Sequence, residues 1–138
     1  MPHIFTYGSL MFEHVWSKVV DGSYDRCAAI LQGYDRKGLQ DEVYPVVIPS
    51  SLHSQVHGTV YLDVATSDLV KLDQFEGEYY FRKTEQALRS DMTILSVEVY
   101  VLKEEYYAII DPKEWDHVYF TTTGIHFFIH NHMDTNEQ

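Results

Sequence analysis

Ile4-Phe5-Thr6-Tyr7-Gly8-Ser9-Leu10 is the stretch from which the fold of this chain is read. Its first residues are apolar, aromatic and β-branched, the composition of a strand, and Gly8-Ser9 interrupts it. A helical pattern follows, with Val15, Trp16, Val19 and Val20 at helical spacing over 13–20. A strand that runs through a glycine turn toward a helix presents backbone N–H groups at the turn, a ready place to hold a carboxylate. Further along, Phe75-Glu76-Gly77-Glu78-Tyr79-Tyr80-Phe81-Arg82 sets an acid among aromatic residues just ahead of another strand. A carboxyl group in such surroundings has a raised pKa and moves protons near neutral pH. One stretch offers an anion cradle and the other a proton-transfer group.

Outward from these two stretches the chain reads as many strands and few helices. Asp21-Gly22-Ser23 stops the first helix, and 26–37 is extended, with Gly33 a bulge or bend. Tyr44-Pro45-Val46-Val47-Ile48-Pro49 is a strand framed by prolines, hence an edge or a strand end. From 55 to 64, Val56, Gly58, Val60 and Leu62 alternate with His57, Thr59, Tyr61 and Asp63. Thr66 is read as the N-cap of a helix running through Asp73. Two further strands, 79–88 and 94–102, flank the polar Arg89-Ser90-Asp91 turn, and Lys103-Glu104-Glu105 reads as a solvated turn. Trp115, Val118, Thr122, Ile125, Phe128, Ile129 and His132 predict a helical segment broken at Gly124, and 133–138 a flexible tail. This order, without regular β-α-β alternation, predicts a mixed α+β fold in a single domain over 1–138.

Composition narrows the function. The 138 residues are 45% hydrophobic, enough for a packed core. Eleven Tyr and seven Phe favour strands. A net charge of -11 argues against nucleic acid or an anionic membrane as partner, since phosphate binding needs Lys and Arg patches. Cys27, the single cysteine, excludes an internal disulfide, fits a reducing compartment and reads as a buried structural thiol in a strand. No apolar window approaches a membrane span of about 20 residues, and the N-terminal residues lack a signal-peptide pattern. A cytoplasmic location is the resulting expectation.

The order and spacing of Tyr7-Gly8-Ser9-Leu10 and Leu72-Asp73-Gln74-Phe75-Glu76-Gly77-Glu78-Tyr79-Tyr80-Phe81-Arg82 resemble the gamma-glutamylcyclotransferase-like superfamily. The closest branch is the small one that includes gamma-glutamylamine cyclotransferases and plant avirulence-induced proteins, and the resemblance runs from Ile4 to Trp115. It implies a small, largely antiparallel β-barrel with flanking helices and a pocket beside the barrel. It also implies an activity, cyclisation of a gamma-glutamyl group to 5-oxoproline with release of an amine or amino acid. The turn at Tyr7, Gly8, Ser9 and Leu10 would hold the gamma-glutamyl moiety. Glu76 matches the acid/base position, whereas Glu78 falls at a variable one. Tyr80 and Arg82 match a Tyr-x-Arg pattern, Tyr80 as a substrate-binding residue and Arg82 as support for local acids, including Asp73. Packing and a structural ion pair are the simpler roles for that pair. Tyr44-Pro45 matches a loop on the pocket wall.

The implied chemistry is economical. The substrate's alpha-amine is protonated at neutral pH and cannot attack until a base takes its proton. The same group, now protonated, can donate to the leaving nitrogen. Ring closure is intramolecular, so holding the chain folded supplies much of the rate. No cofactor or metal is needed, and the partner expected is a small gamma-glutamyl substrate. Taken alone, Tyr7-Gly8-Ser9-Leu10 reads as an ordinary strand-to-helix turn; paired with the Glu76 stretch it reads as an anion nest. The alternative function is a non-catalytic module that binds a small carboxylate metabolite in the same pocket. His126 and His130 are four apart and could share a helix face, with His132 following, but they lack HExxH order, a Cys partner and an obvious third ligand, so solvated histidines are the reading there.

Overall fold

Ile4–Thr6 forms β1, and all three of its residues are buried. The structure is a computed structural model that describes residues 1–39 and 45–114, with backbone alone at 39 and 111–114. A closed barrel is built from β1, β2 (Arg26–Gln32), β5 (Gln55–Tyr61), β6 (Tyr80–Arg89) and β7 (Ile94–Leu102), in the order β1-β5-β2-β6-β7. Its pairings are antiparallel except at the closing seam, where β1 runs parallel to β7 through Ile4↔Glu98 and Phe5↔Val99. Beside it lies a smaller antiparallel sheet, β4-β3-β8, from β3 (Tyr34–Leu39), β4 (Pro45–Pro49) and β8 (Ile110–Glu114). The helices are α1 (Glu13–Val19) and α2 (Thr66–Glu76), with 3-10 turns at Ser9–Met11 and Glu104–Ile109. The mixed α+β barrel expected from the sequence is the fold observed.

Period-two alternation along the strands divides the apolar residues between two faces. Phe5, Leu31, Val56, Val60, Val97, Val99 and Val101 form one buried cluster, the barrel interior. Their strand neighbours Ile4, Tyr61, Tyr100 and Leu102 join Val15 and Trp16 of α1 and Leu72 of α2 in a second cluster, so the helices pack on the outer face. Trp16 lies flat on Tyr61, ring centroids 3.7 Å apart and planes 2° from parallel. Burying one such aliphatic or aromatic side chain contributes about 1.5–3 kcal/mol. Asp68, on the buried side of α2, accepts the Asp21 and Gly22 N–H groups at 3.0 Å each and the Tyr24 hydroxyl at 2.5 Å. That carboxylate ties α2 to the loop leaving α1.

The structure corrects several local expectations. The extended run over 26–37 is two strands in different sheets, parted at Gly33, whose φ of +88 is left-handed and suits glycine. Thr66 is the first helical residue; the N-cap is Ala65, which has no side-chain oxygen to offer, so α2 starts without a side-chain cap. Lys103-Glu104-Glu105 opens a 3-10 turn. Cys27 is in a strand as expected but is only partly buried, at the margin of the interior cluster. β8 was not foreseen: Pro112 and the charged residues around it disguise it as a loop. Tyr44, the segment from Trp115 with His126, His130 and His132, and the tail at 133–138 lie outside the described residues. Among the described residues no helix is long and apolar enough to cross a membrane.

Candidate functional site

Glu76 is the last residue of α2. The helix ends there because Gly77 takes a positive φ of +79 that suits glycine and donates its N–H to the Asp73 carbonyl at 3.2 Å as the chain turns toward β6. Leu72 faces the core, and Phe75 packs partly against it. Asp73 and Glu76 are three residues apart and therefore neighbours on one helix face. Glu76 is partly exposed as a residue, but desolvation of its carboxyl group, reinforced by the nearby Asp73 charge, pushes its pKa up to about 8.

Asp73 is itself gripped from the barrel. The Tyr100 hydroxyl donates to Asp73 Oδ1 at 2.6 Å, and Arg82 Nε lies 3.7 Å from the same oxygen. Arg82 also faces Glu98, Nη1 to Oε2 3.6 Å. Strand register explains the grouping: Arg82 pairs with Tyr100 and Thr84 with Glu98 across β6 and β7, and alternate residues point the same way. Burial, helped by the Asp73 hydrogen bond, drives the Tyr100 phenol far above its ordinary pKa.

The Tyr7 turn approaches from the other side. Tyr7 is buried and donates its hydroxyl to the Tyr100 carbonyl at 2.6 Å. Its pKa is raised first by burial and then by the Glu76 charge, so the two groups lie within electrostatic reach. Arg36 Nη1 donates to the Tyr7 carbonyl at 3.0 Å and fixes the strand end. Gly8, Ser9 and Leu10 are all buried. The 3-10 turn is closed by Met11 N–H to the Gly8 carbonyl (3.0 Å) and Phe12 N–H to the Ser9 carbonyl (3.2 Å), and neither bond uses the Gly8, Ser9 or Leu10 amide. Gly8, at φ -138 and ψ -127, lies against the Pro45 ring, whose Cγ would stand 2.6 Å from a Cβ. Tyr80 donates its hydroxyl to the carbonyl of that same Pro45 at 3.3 Å.

The structure thus joins Tyr7 to Glu76 through Tyr100 and Asp73, and Gly8 to Tyr80 through Pro45. Arg82 meets Asp73 as expected, and Tyr80 and Arg82 leave the same side of β6 toward different partners. Tyr100 was missed in the sequence, where it is one more aromatic in an apolar strand. The hairpin held its signal: once the turn is placed between Leu88 and Ile94, the register sets Tyr100 opposite Arg82. Among the described residues no cluster of three or more His, Cys, Asp or Glu is arranged to hold a metal ion.

Comparison with known proteins places the fold in a family. The family model described as gamma-glutamyl cyclotransferase, AIG2-like, matches residues 4–117. AIG2-like protein C of Arabidopsis thaliana is 33% identical over 117 residues, which cover 81% of this chain and 67% of that protein. AIG2-like protein A of the same plant is 34% identical over 91 residues, covering 66% of this chain and only 54% of its own length. A solution structure of an Arabidopsis thaliana protein superposes with a TM-score of 0.71 at 28% identity, covering 99% of this chain and 91% of that one. A structure described as a gamma-glutamyl cyclotransferase superposes at 0.65 over 74% of this chain and 66% of its own; at 16% identity it shows the shared fold.

Proposed function

The chain belongs to the gamma-glutamyl cyclotransferase, AIG2-like family, and from that premise we propose that it is an enzyme that closes the gamma-glutamyl group of a small amine or amino-acid conjugate to 5-oxoproline. The observation that carries the proposal is the Glu76 carboxyl, with a pKa pushed up to about 8, within electrostatic reach of the Tyr7 hydroxyl. A carboxylate whose pKa stands near the working pH both takes a proton from an ammonium and returns one to a leaving nitrogen. In this reading the amides of Gly8, Ser9 and Leu10 receive the substrate's carboxylate, and Tyr7 and Tyr80 line the pocket. Fixed backbone donors suit that task because they bring no counter-charge. Arg82 supports the acids around Glu76. Two carboxylates side by side favour catalysis over simple binding, since a receptor for an anion gains nothing from Glu76 and Asp73 beside it.

The direct test incubates the protein with a panel of gamma-glutamyl amines and amino acids and follows 5-oxoproline by mass spectrometry. Glu76→Gln keeps the shape and removes the proton acceptor. It should lower turnover by roughly two to four orders of magnitude, with the fold intact by circular dichroism and Glu78→Gln near wild type. A Glu76→Gln protein that turns over at the wild-type rate eliminates Glu76 as the base. A panel with no 5-oxoproline, together with saturable binding of a small dicarboxylate, would leave the binding module as the function.

A further inference from the structure

We propose that Tyr100 is a positioning residue for the candidate acid/base: from the barrel wall it clamps Asp73 beside Glu76, one helical turn away on α2, and so sets how tightly Glu76 holds its proton. The inference rests on the assignment of Glu76 as the proton-transfer group and goes beyond it by naming what tunes that group.

The argument begins with Asp73, whose side chain is 45% exposed. A surface aspartate at this position would turn to water, where its charge is screened from Glu76. Here it is prevented from doing so. The Tyr100 hydroxyl, on a buried ring, meets Asp73 Oδ1 at 2.6 Å, a short bond of the kind formed to a charged acceptor. Arg82 adds a longer contact at 3.7 Å to the same oxygen, but its guanidinium is divided with Glu98 at 3.6 Å, so it only partly neutralises Asp73. The ring of Tyr100 is fixed in turn. It lies in the outer core with Leu72 of α2, and its own carbonyl accepts the Tyr7 hydroxyl at 2.6 Å. The Asp73 side chain is thus held next to a desolvated carboxyl, and a nearby like charge is the condition that keeps the second acid protonated.

The charged and titratable groups around this pair come from each neighbouring element. Tyr7, just past β1, and Tyr100 from β7 are raised first by burial, with a smaller contribution from the Glu76 charge, and stay neutral. Arg82 from β6 faces Asp73 and also Glu98 from β7. β4, at Pro45–Pro49, brings no titratable side chain. Among the described residues, burial raises Glu76 first and the Asp73 charge second. Without the Tyr100 hydroxyl Asp73 is free to swing into solvent, which carries its negative charge away from Glu76.

The experiment reads Glu76 directly. The carbon-13 chemical shift of its side-chain carboxyl is followed against pH in the whole protein, assigned by its disappearance in Glu76→Gln. Tyr100→Phe, which keeps the ring, and Asp73→Asn, which changes a partly exposed group, should each lower the midpoint by about one pH unit. Combining them should give no further drop, because both act through one contact. With an active substrate, the acidic limb of kcat/KM moves down by the same amount. Midpoints unmoved in both single variants overturn the proposal, as do two shifts that simply add. A protein that releases 5-oxoproline from no panel member yet shows the coupled drop overturns the cyclisation and keeps this tuning. An active protein whose Glu76 midpoint ignores both substitutions does the reverse.

Discussion

At the scale of single residues, Glu76 and Gly8 make claims that can be measured apart from any substrate. The native pKa of Glu76 stands at about 8 against 4.5 for the free side chain. Between those values the native state keeps a proton that the unfolded chain has released, so stability falls as pH rises through that window. Glu76→Gln should flatten this fall, seen as urea midpoints less separated at about pH 5 and about pH 8 than in wild type; an unchanged separation counts against a desolvated carboxyl. Gly8 was read from the sequence as a source of backbone freedom, and the Pro45 ring supplies a separate reason for a residue without a side chain. Overpacking of this kind costs about 1–3 kcal/mol. Gly8→Ala should therefore lower the thermal midpoint, and Gly8→Val should lower it further while emptying the cradle. Tolerance of valine at full stability would show that Pro45 does not press on this turn.

At the scale of elements, α2 is well placed but poorly started. Its N-cap is Ala65, with extended backbone angles of φ -65 and ψ 146 that already suit a capping serine. Ala65→Ser should stabilise the protein by about 1 kcal/mol by giving an unpaired first-turn amide an acceptor, measured as a rise in the urea midpoint without a change in slope. The sequence hid this detail because Thr66, one residue later, looks like the better cap. Strands were legible wherever alternation met a turn residue: β5, β6 and β7 fall within a few residues of their expected limits. What could not be read was sheet membership. Nothing local in Arg26–Gln32 and Tyr34–Leu39 says that the first closes a barrel and the second lies in another sheet, since the choice is made by distant partners. The candidate site divides the same way. Glu76, Tyr7 and the glycine turn stand out as motifs, whereas Tyr100 acts only through a register that pairs β6 with β7.

At the scale of the whole molecule, the proposed chemistry runs on side chains and backbone amides alone. Activity should persist after dialysis against a strong chelator, assayed with the best panel substrate; a loss that zinc or another transition metal restores would bring His126 and His130 into the mechanism. The barrel also has a temporal side. Its seam joins Ile4 and Phe5 to Glu98 and Val99, so β1 finds this partner only after every barrel strand between them has been made. At about 5–20 residues per second on the ribosome, an apolar segment carrying half of the proposed pocket waits on the order of 5–20 s before it can be enclosed. The nascent chain therefore carries this apolar strand with one edge unpaired for the whole interval between β1 and β7, and the cradle for a substrate can be enclosed only after β7 has been made.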